Sequence, residues 1–112
     1  MILLREPDDP QVFWVKRAHK LAFMGGFYAF PGGQVDATDA ETPLLNCAPS
    51  ATDSKAAAIR VCVIRELFEE TGVLLARGAE RLTAPQRATL REELGADSIN
   101  FKDLLADRKS VV

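Results

Sequence analysis

The sequence has 112 residues, of which 47% are hydrophobic and 27% charged, and its formal net charge is −2. That composition excludes a disordered or fibrous chain, and the length allows one domain with one core. No basic stripe is interleaved with aromatics, and no apolar run reaches the roughly 20 residues that span a bilayer, so neither nucleic acid nor membrane is an expected partner.

In chain order, the β-prone stretches Ile2–Arg5 and Val12–Arg17 flank Glu6-Pro7-Asp8-Asp9-Pro10, whose prolines and aspartates favour a turn, and together they predict a hairpin. Phe13 and Trp14 alternate along the second strand, so one is expected in the core and the other against a helix. Arg17 is a candidate phosphate contact, although surface arginines at strand ends are equally common. His19, before a glycine-rich stretch, reads as a solvated loop residue rather than a base. Between Lys20 and Gly33 lie Gly25, Gly26, Gly32 and Gly33, and a strand over Phe27–Phe30 is predicted to run into the backbone-exposed loop Pro31-Gly32-Gly33.

Asp36–Ser54 is rich in Asp, Thr, Pro, Ala and Ser without a sustained period and reads as a long loop or insertion, the least ordered part of the chain. The clearest helix covers Ala56–Glu70. Its apolar stripe is Ile59, Val63 and Leu67, with Asp53 or Ser54 as N-cap and Gly72 as stop. Val73–Leu75 then predicts a short buried strand. A second helix is expected over Ala84–Leu94, with Thr83 and Gln86 as a capping box, Pro85 in its first turn and Gly95 after its end. A third is expected over Ile99–Ala106. The tail Asp107–Val112, Asp-Arg-Lys-Ser-Val-Val, is what a common sequencing adapter encodes in one frame, so residues 107–112 are hypothesised to be non-native; native codons through Val112 on resequencing would refute this.

Cys47 and Cys62 have no C-x-x-C spacing and no nearby histidine, which argues against a zinc site or a disulfide framework; Cys62 reads as helix packing. With no signal-like start, the expected location is the cytoplasm or an organellar matrix.

The chemistry-bearing stretch is Arg65-Glu66-Leu67-Phe68-Glu69-Glu70-Thr71-Gly72. Helical spacing puts Glu66, Glu69 and Glu70 on one face, where like charges repel and call for a cation. A hard divalent ion such as Mg²⁺ or Mn²⁺, held jointly by carboxylates and substrate phosphates, meets that need. Arg65, four residues before Glu69, can hold it by a salt bridge, while Leu67 and Phe68 face the core. For the carboxylates alone, a solvated acidic helix end is an equal alternative. Phe30-Pro31-Gly32-Gly33 adds a loop in which the backbone can approach a metal or phosphate without a Cβ in the way.

Together these residues resemble the Nudix family, whose box runs Gly, five residues, Glu, seven residues, then Arg-Glu-apolar-x-Glu-Glu-x-Gly-apolar. Gly33 matches the opening and Arg65–Val73 match the second half. Asp39 stands where the first Glu is usual, and the segment 36–54 stretches the spacing. Phe30-Pro31-Gly32-Gly33-x-x-Asp36-x-x-Asp39 resembles the coenzyme A diphosphatases of that family, and the insertion resembles the peroxisomal acyl-coenzyme A subgroup and its bacterial relatives. Arg17 and Gly26 fit the coenzyme A signature, whereas Ala22 occupies its second Arg position.

The resemblance implies an α+β fold, the Nudix α/β/α sandwich with a mixed sheet, covering residues 1–106 and lacking its C-terminal strands and helix. It implies Glu66 and Glu70 as the main metal ligands, Glu69 as a further ligand or base, and the Gly32 carbonyl as a backbone ligand. Arg65 would orient Glu69, completing a catalytic set of Glu69, Glu70 and Arg65, and Arg17 and Gly33 would face the substrate. A further base or ligand is expected beyond the end of this chain. The implied reaction is Mg²⁺- or Mn²⁺-dependent hydrolysis of coenzyme A or its acyl esters to 3′,5′-ADP and (acyl-)4′-phosphopantetheine. Alternatives are a Nudix hydrolase of ADP-ribose, NADH or a nucleoside triphosphate, and an inactive fragment or Nudix-like binding module.

Overall fold

Short antiparallel ribbons come first and helices follow. The computed structural model describes residues 1–44 and 54–107, and the chain divides into two units, residues 1–32 and 33–112.

In the first unit the predicted hairpin forms, with its second strand shared between two partners. Strand β1 (Leu4–Arg5) pairs antiparallel with β2 (Gln11–Val12), Leu4 opposite Val12 and Arg5 opposite Gln11. The chain then breaks at Phe13-Trp14, and β3 (Val15–Lys16) pairs antiparallel with β4 (Tyr28–Ala29), Val15 opposite Ala29 and Lys16 opposite Tyr28. Two backbone bonds continue the second ribbon toward its glycine turn, Arg17 N–H to Phe27 O at 2.9 Å and Gly26 N–H to Arg17 O at 3.0 Å. Gly26 takes φ +83°, which favours glycine, and a Cβ there would also lie 2.6 Å from the ring of the exposed His19, which would have to turn away. Trp14 packs against Tyr28 and Phe30, with centroids 6.1 and 5.7 Å apart, and Lys16 Nζ lies 5.7 Å from the Tyr28 ring centre. Phe13 and Trp14 are nonetheless exposed, which corrects the expectation that one would be core.

The second unit holds the core. Helix α1 (Ser54–Thr71) contains the predicted helix and extends it at both ends; the candidate cap Asp53 lies outside the described residues. Gly72 stops it at φ +76°, its N–H on Phe68 O at 2.8 Å. The buried face of α1 is Ala58, Val61, Cys62, Arg65 and Phe68, together with Leu67. The predicted stripe is corrected accordingly, for Ile59 is exposed. Spacings of three and four centred on Val61 define the inner face, and Arg65 is drawn into it by the buried Asp39.

Val73–Leu75 is not a strand. It follows α1 as irregular chain, with Leu74 buried and Val73 and Leu75 exposed, and no ladder forms there among the described residues. A single turn of 3₁₀-helix at Ala79–Arg81 leads to α2 (Ala84–Gly95). Here the capping box forms: Thr83 Oγ1 accepts from Gln86 N–H at 3.4 Å, and Gln86 Oε1 accepts from Thr83 N–H at 2.9 Å. Helix α3 (Phe101–Asp107) starts one residue after Asn100, whose side chain accepts from Asp103 N–H at 2.9 Å; residues 108–112 of the suspected tail lie outside the described residues.

Val61 and Phe68 from α1, Leu90 and Leu94 from α2, and Phe101, Leu104 and Leu105 from α3 interlock with Leu74, Ala79 and Leu82 in one apolar core. Hydrophobic burial at about 25 cal/mol per Å² makes this cluster the main source of stability. The fold class is thus mixed helix and antiparallel strand. Among the described residues the two sheets are both two-stranded and antiparallel, so the mixed sheet and full sandwich implied by the family resemblance are not built here. No helix among the described residues is long and apolar enough to cross a membrane.

Candidate functional site

The segment expected to be a loop throughout is ordered where it meets α1. Ala37–Asp39 forms a turn of 3₁₀-helix, in which Asp39 N–H donates to Asp36 O at 3.1 Å and Thr42 Oγ1 bonds Thr38 O at 2.9 Å. This corrects the reading of the whole of 36–54 as irregular; residues 45–53 lie outside the described residues. The turn exists because Asp39 faces inward. Its side chain is fully buried, and a buried carboxylate persists only with partners.

Those partners come mainly from Arg65. Asp39 Oδ1 accepts from Nε at 3.0 Å, and Oδ2 accepts from Nη2 at 3.0 Å and from Asp36 N–H at 2.8 Å. The guanidinium directs its remaining donors nearby: Nη2 to Gln34 O at 2.8 Å, and Nη1 to Glu66 Oε1 at 2.9 Å and Glu69 Oε1 at 3.0 Å. Asp36, largely exposed, stands 3.5 Å from Nη2. Burial works against the Arg65 charge, but its hydrogen bonds to Asp39 and Glu69, with the charges of Asp39 and Glu66, outweigh it and hold the guanidinium protonated above arginine's usual range. The predicted Arg65–Glu69 bridge is therefore present as one arm of a larger network.

Burial raises the Glu69 carboxyl above the usual carboxylate range, with Arg65 opposing and Glu66 adding to the rise. Glu66 and Glu69 are partly buried, while Glu70 is exposed at the last turn. The end of α1 is held from α2: Arg91 donates through Nε to Glu69 O and through Nη2 to Glu70 O, both at 2.6 Å. Two carbonyls that the helix itself cannot satisfy thereby acquire a cation. Leu67 and Phe68 are fully buried, as expected of the anchoring face.

Gly33 lies against Glu66, and Cys62 Sγ donates to Gln34 O at 3.2 Å. Burial pushes the Cys62 thiol up from its ordinary range, in keeping with a packing role. Arg17 and Gly32 belong to the first unit; Arg17 is half-buried, and its Nε is buried without a hydrogen-bond partner in the described residues. Beside Arg65 and Glu69 a cleft of about 320 Å³ opens between the 36–38 turn and the α2–α3 junction, lined in part by Thr38, Ser98 and Asn100.

The donor chemistry suits a hard cation: Glu66, Glu69 and Glu70 offer carboxylate oxygens within two helical turns. In the present arrangement Arg65 spans Glu66 and Glu69, and among the described residues no three acidic, cysteine or histidine side chains converge as a ready-made metal cage. Sequence reasoning missed Arg91, whose brace has no local signature. It singled out Asp39 by its place six residues after Gly33, but not the pairing of Asp39 with Arg65.

The chain is 31% identical over 105 residues to a Caenorhabditis elegans protein named as nudix hydrolase 7, a match covering 92% of this chain and 31% of the relative. It is 29% identical over 99 residues to acyl-coenzyme A diphosphatase NUDT19 of Gallus gallus, covering 62% of this chain and 26% of the relative. The chain thus spans about a third or less of the length of these relatives. No family model and no solved structure matches it.

Proposed function

We propose that the chain carries the catalytic helix of a Mg²⁺- or Mn²⁺-dependent hydrolase that cleaves the diphosphate of coenzyme A or an acyl-coenzyme A. Water adds across the P–O–P bridge, releasing 3′,5′-ADP and (acyl-)4′-phosphopantetheine. The observation that carries this reading is the buried Arg65 fork, which holds Glu66 and Glu69 at the end of α1 one residue from Glu70. An acidic helix end that merely met solvent would not need a buried arginine tied to a buried aspartate beneath it.

Glu66 and Glu70 would hold the metal, with Glu69 and the Gly32 carbonyl as further oxygen donors. When bound, a divalent ion supplies charge neutralisation on the diphosphate and polarises it toward attack by water. The protein's own part is positional. Arg65 keeps Glu66 and Glu69 from drifting apart, and Glu69, its carboxyl raised by burial, is suited to accept and return the proton of water. Arg17 and the Gly33 backbone would meet substrate phosphate. The cytoplasm or an organellar matrix is the proposed setting.

Similarity to the two relatives supports diphosphate hydrolysis in general. The coenzyme A branch rests on Phe30-Pro31-Gly32-Gly33 with Asp36 and Asp39, and on the partial match to a protein named as an acyl-coenzyme A diphosphatase. The test is mass spectrometry of products after incubation with Mg²⁺ or Mn²⁺ and coenzyme A, acyl-coenzyme A, ADP-ribose, NADH or a nucleoside triphosphate. Metal-dependent 3′,5′-ADP is expected. Turnover of another substrate without coenzyme A overturns the branch, and no product from any of them overturns hydrolysis by this chain.

A further inference from the structure

Gly33 does not need to be glycine for its backbone conformation, because it is absent from the residues with positive φ. It needs to be glycine for space. A Cβ built on it would lie 2.3 Å from the Glu66 carboxyl carbon and from Oε1, and 2.5 Å from Oε2, separations that real Cβ atoms do not show. The backbone beside it cannot retreat easily, since Gln34 O is held by Arg65 Nη2 at 2.8 Å and by Cys62 Sγ at 3.2 Å. Three successive features of α1, Cys62, Arg65 and Glu66, therefore converge on Gly33-Gln34.

We infer that Gly33 is a positioning residue for Glu66: the bare Cα at residue 33 is the seat on which the Glu66 carboxylate rests while Arg65 Nη1 holds its Oε1 at 2.9 Å. This is distinct from any contact the Gly33 backbone makes with substrate, and its consequence for metal binding rests on the function proposed above. The displaced group in a variant is the far end of a long side chain, not backbone, so the carboxylate swings away while the helix stays folded. Loss of an orienting contact around a ligand costs about 10- to 100-fold in metal affinity.

The test is Gly33→Ala, read first without metal. In carboxyl-¹³C NMR the Glu66 resonance is expected to shift while the Asp39 resonance stays, with the thermal midpoint nearly unchanged. An unmoved Glu66 resonance overturns the inference. Mn²⁺ titration followed by water-proton relaxation is then expected to show affinity reduced by about tenfold or more. Glu66→Asp, one methylene shorter, should lower affinity less in the Gly33→Ala background than in the wild type, because the shorter side chain avoids the new methyl. Equal factors in both backgrounds overturn the inference. Should wild-type chain bind no Mn²⁺, the metal reading fails by itself, and the metal-free spectra still decide whether Gly33 seats Glu66.

Discussion

Asp39 and Arg65 meet side by side, Oδ1 to Nε and Oδ2 to Nη2, both at 3.0 Å, with the aspartate side chain fully buried and the arginine side chain 6% exposed. A two-point fork of this kind fixes direction as well as distance, which a lysine in place of Arg65 could not do. Removing one partner leaves an uncompensated buried charge. Asp39→Ala is therefore expected to lower stability by about 3 kcal/mol, whereas Asp36→Ala, which removes an exposed partner at 3.5 Å, should cost less than about 1 kcal/mol. Urea unfolding of the two variants checks the ranking; equal losses would show that the Asp39 pair is no more than a surface contact.

Arg91 braces the C-terminal end of α1 through two backbone carbonyls rather than through the carboxylates themselves. Arg91→Ala should cost about 1 kcal/mol and speed hydrogen exchange at the amides of Glu70, Thr71 and Gly72, because the last turn loses its anchor on α2. Unchanged exchange in that turn would show that the helix end is held without Arg91.

For Cys62, burial raises the thiol's proton affinity in the folded chain. The sign follows directly: the folded state keeps this proton more tightly than the unfolded one. The associated stability is complete below the unfolded thiol value, roughly 8.5, and is lost as pH rises through the higher folded value. In a Cys47→Ser background, iodoacetamide at pH 8.5 should label folded chain at least about tenfold more slowly than chain in denaturant. Labelling at the same rate in both would contradict the packing role.

If Glu66, Glu69 and Glu70 serve a divalent cation, Glu70→Gln should abolish metal-dependent turnover while leaving helical circular dichroism intact, since it removes charge without changing shape. Chelation by EDTA should have the same effect on the wild type and be reversed by added Mn²⁺. Wild-type rates in the variant would refute the metal role of Glu70.

Much of the helical layout is legible in the sequence. The Thr83–Gln86 box and Gly72 read as helix boundaries and act as such, because caps and stops are settled by neighbours three or four residues away. The buried stripe of α1 is not, because Ile59 and Val63 look apolar enough to face inward, and nothing near Arg65 in the chain announces that a charged residue will be buried. Val73–Leu75 has strand composition, but a strand also needs a partner, and composition cannot supply one.

What the chain determines alone is therefore local: that three helices follow one another, with bounds off by one or two residues and Gly95 closing α2 rather than following it, where Thr83 and Gly72 cap and stop, that three carboxylates crowd the end of α1, and where glycine lets the backbone come close. What only the tertiary structure decides is how those carboxylates are held. Asp39 lies 26 residues from Arg65, and Arg91 lies 22 from Glu69. Pairings at such separations depend on which elements the core brings together, and one-dimensional periodicity carries no record of that choice.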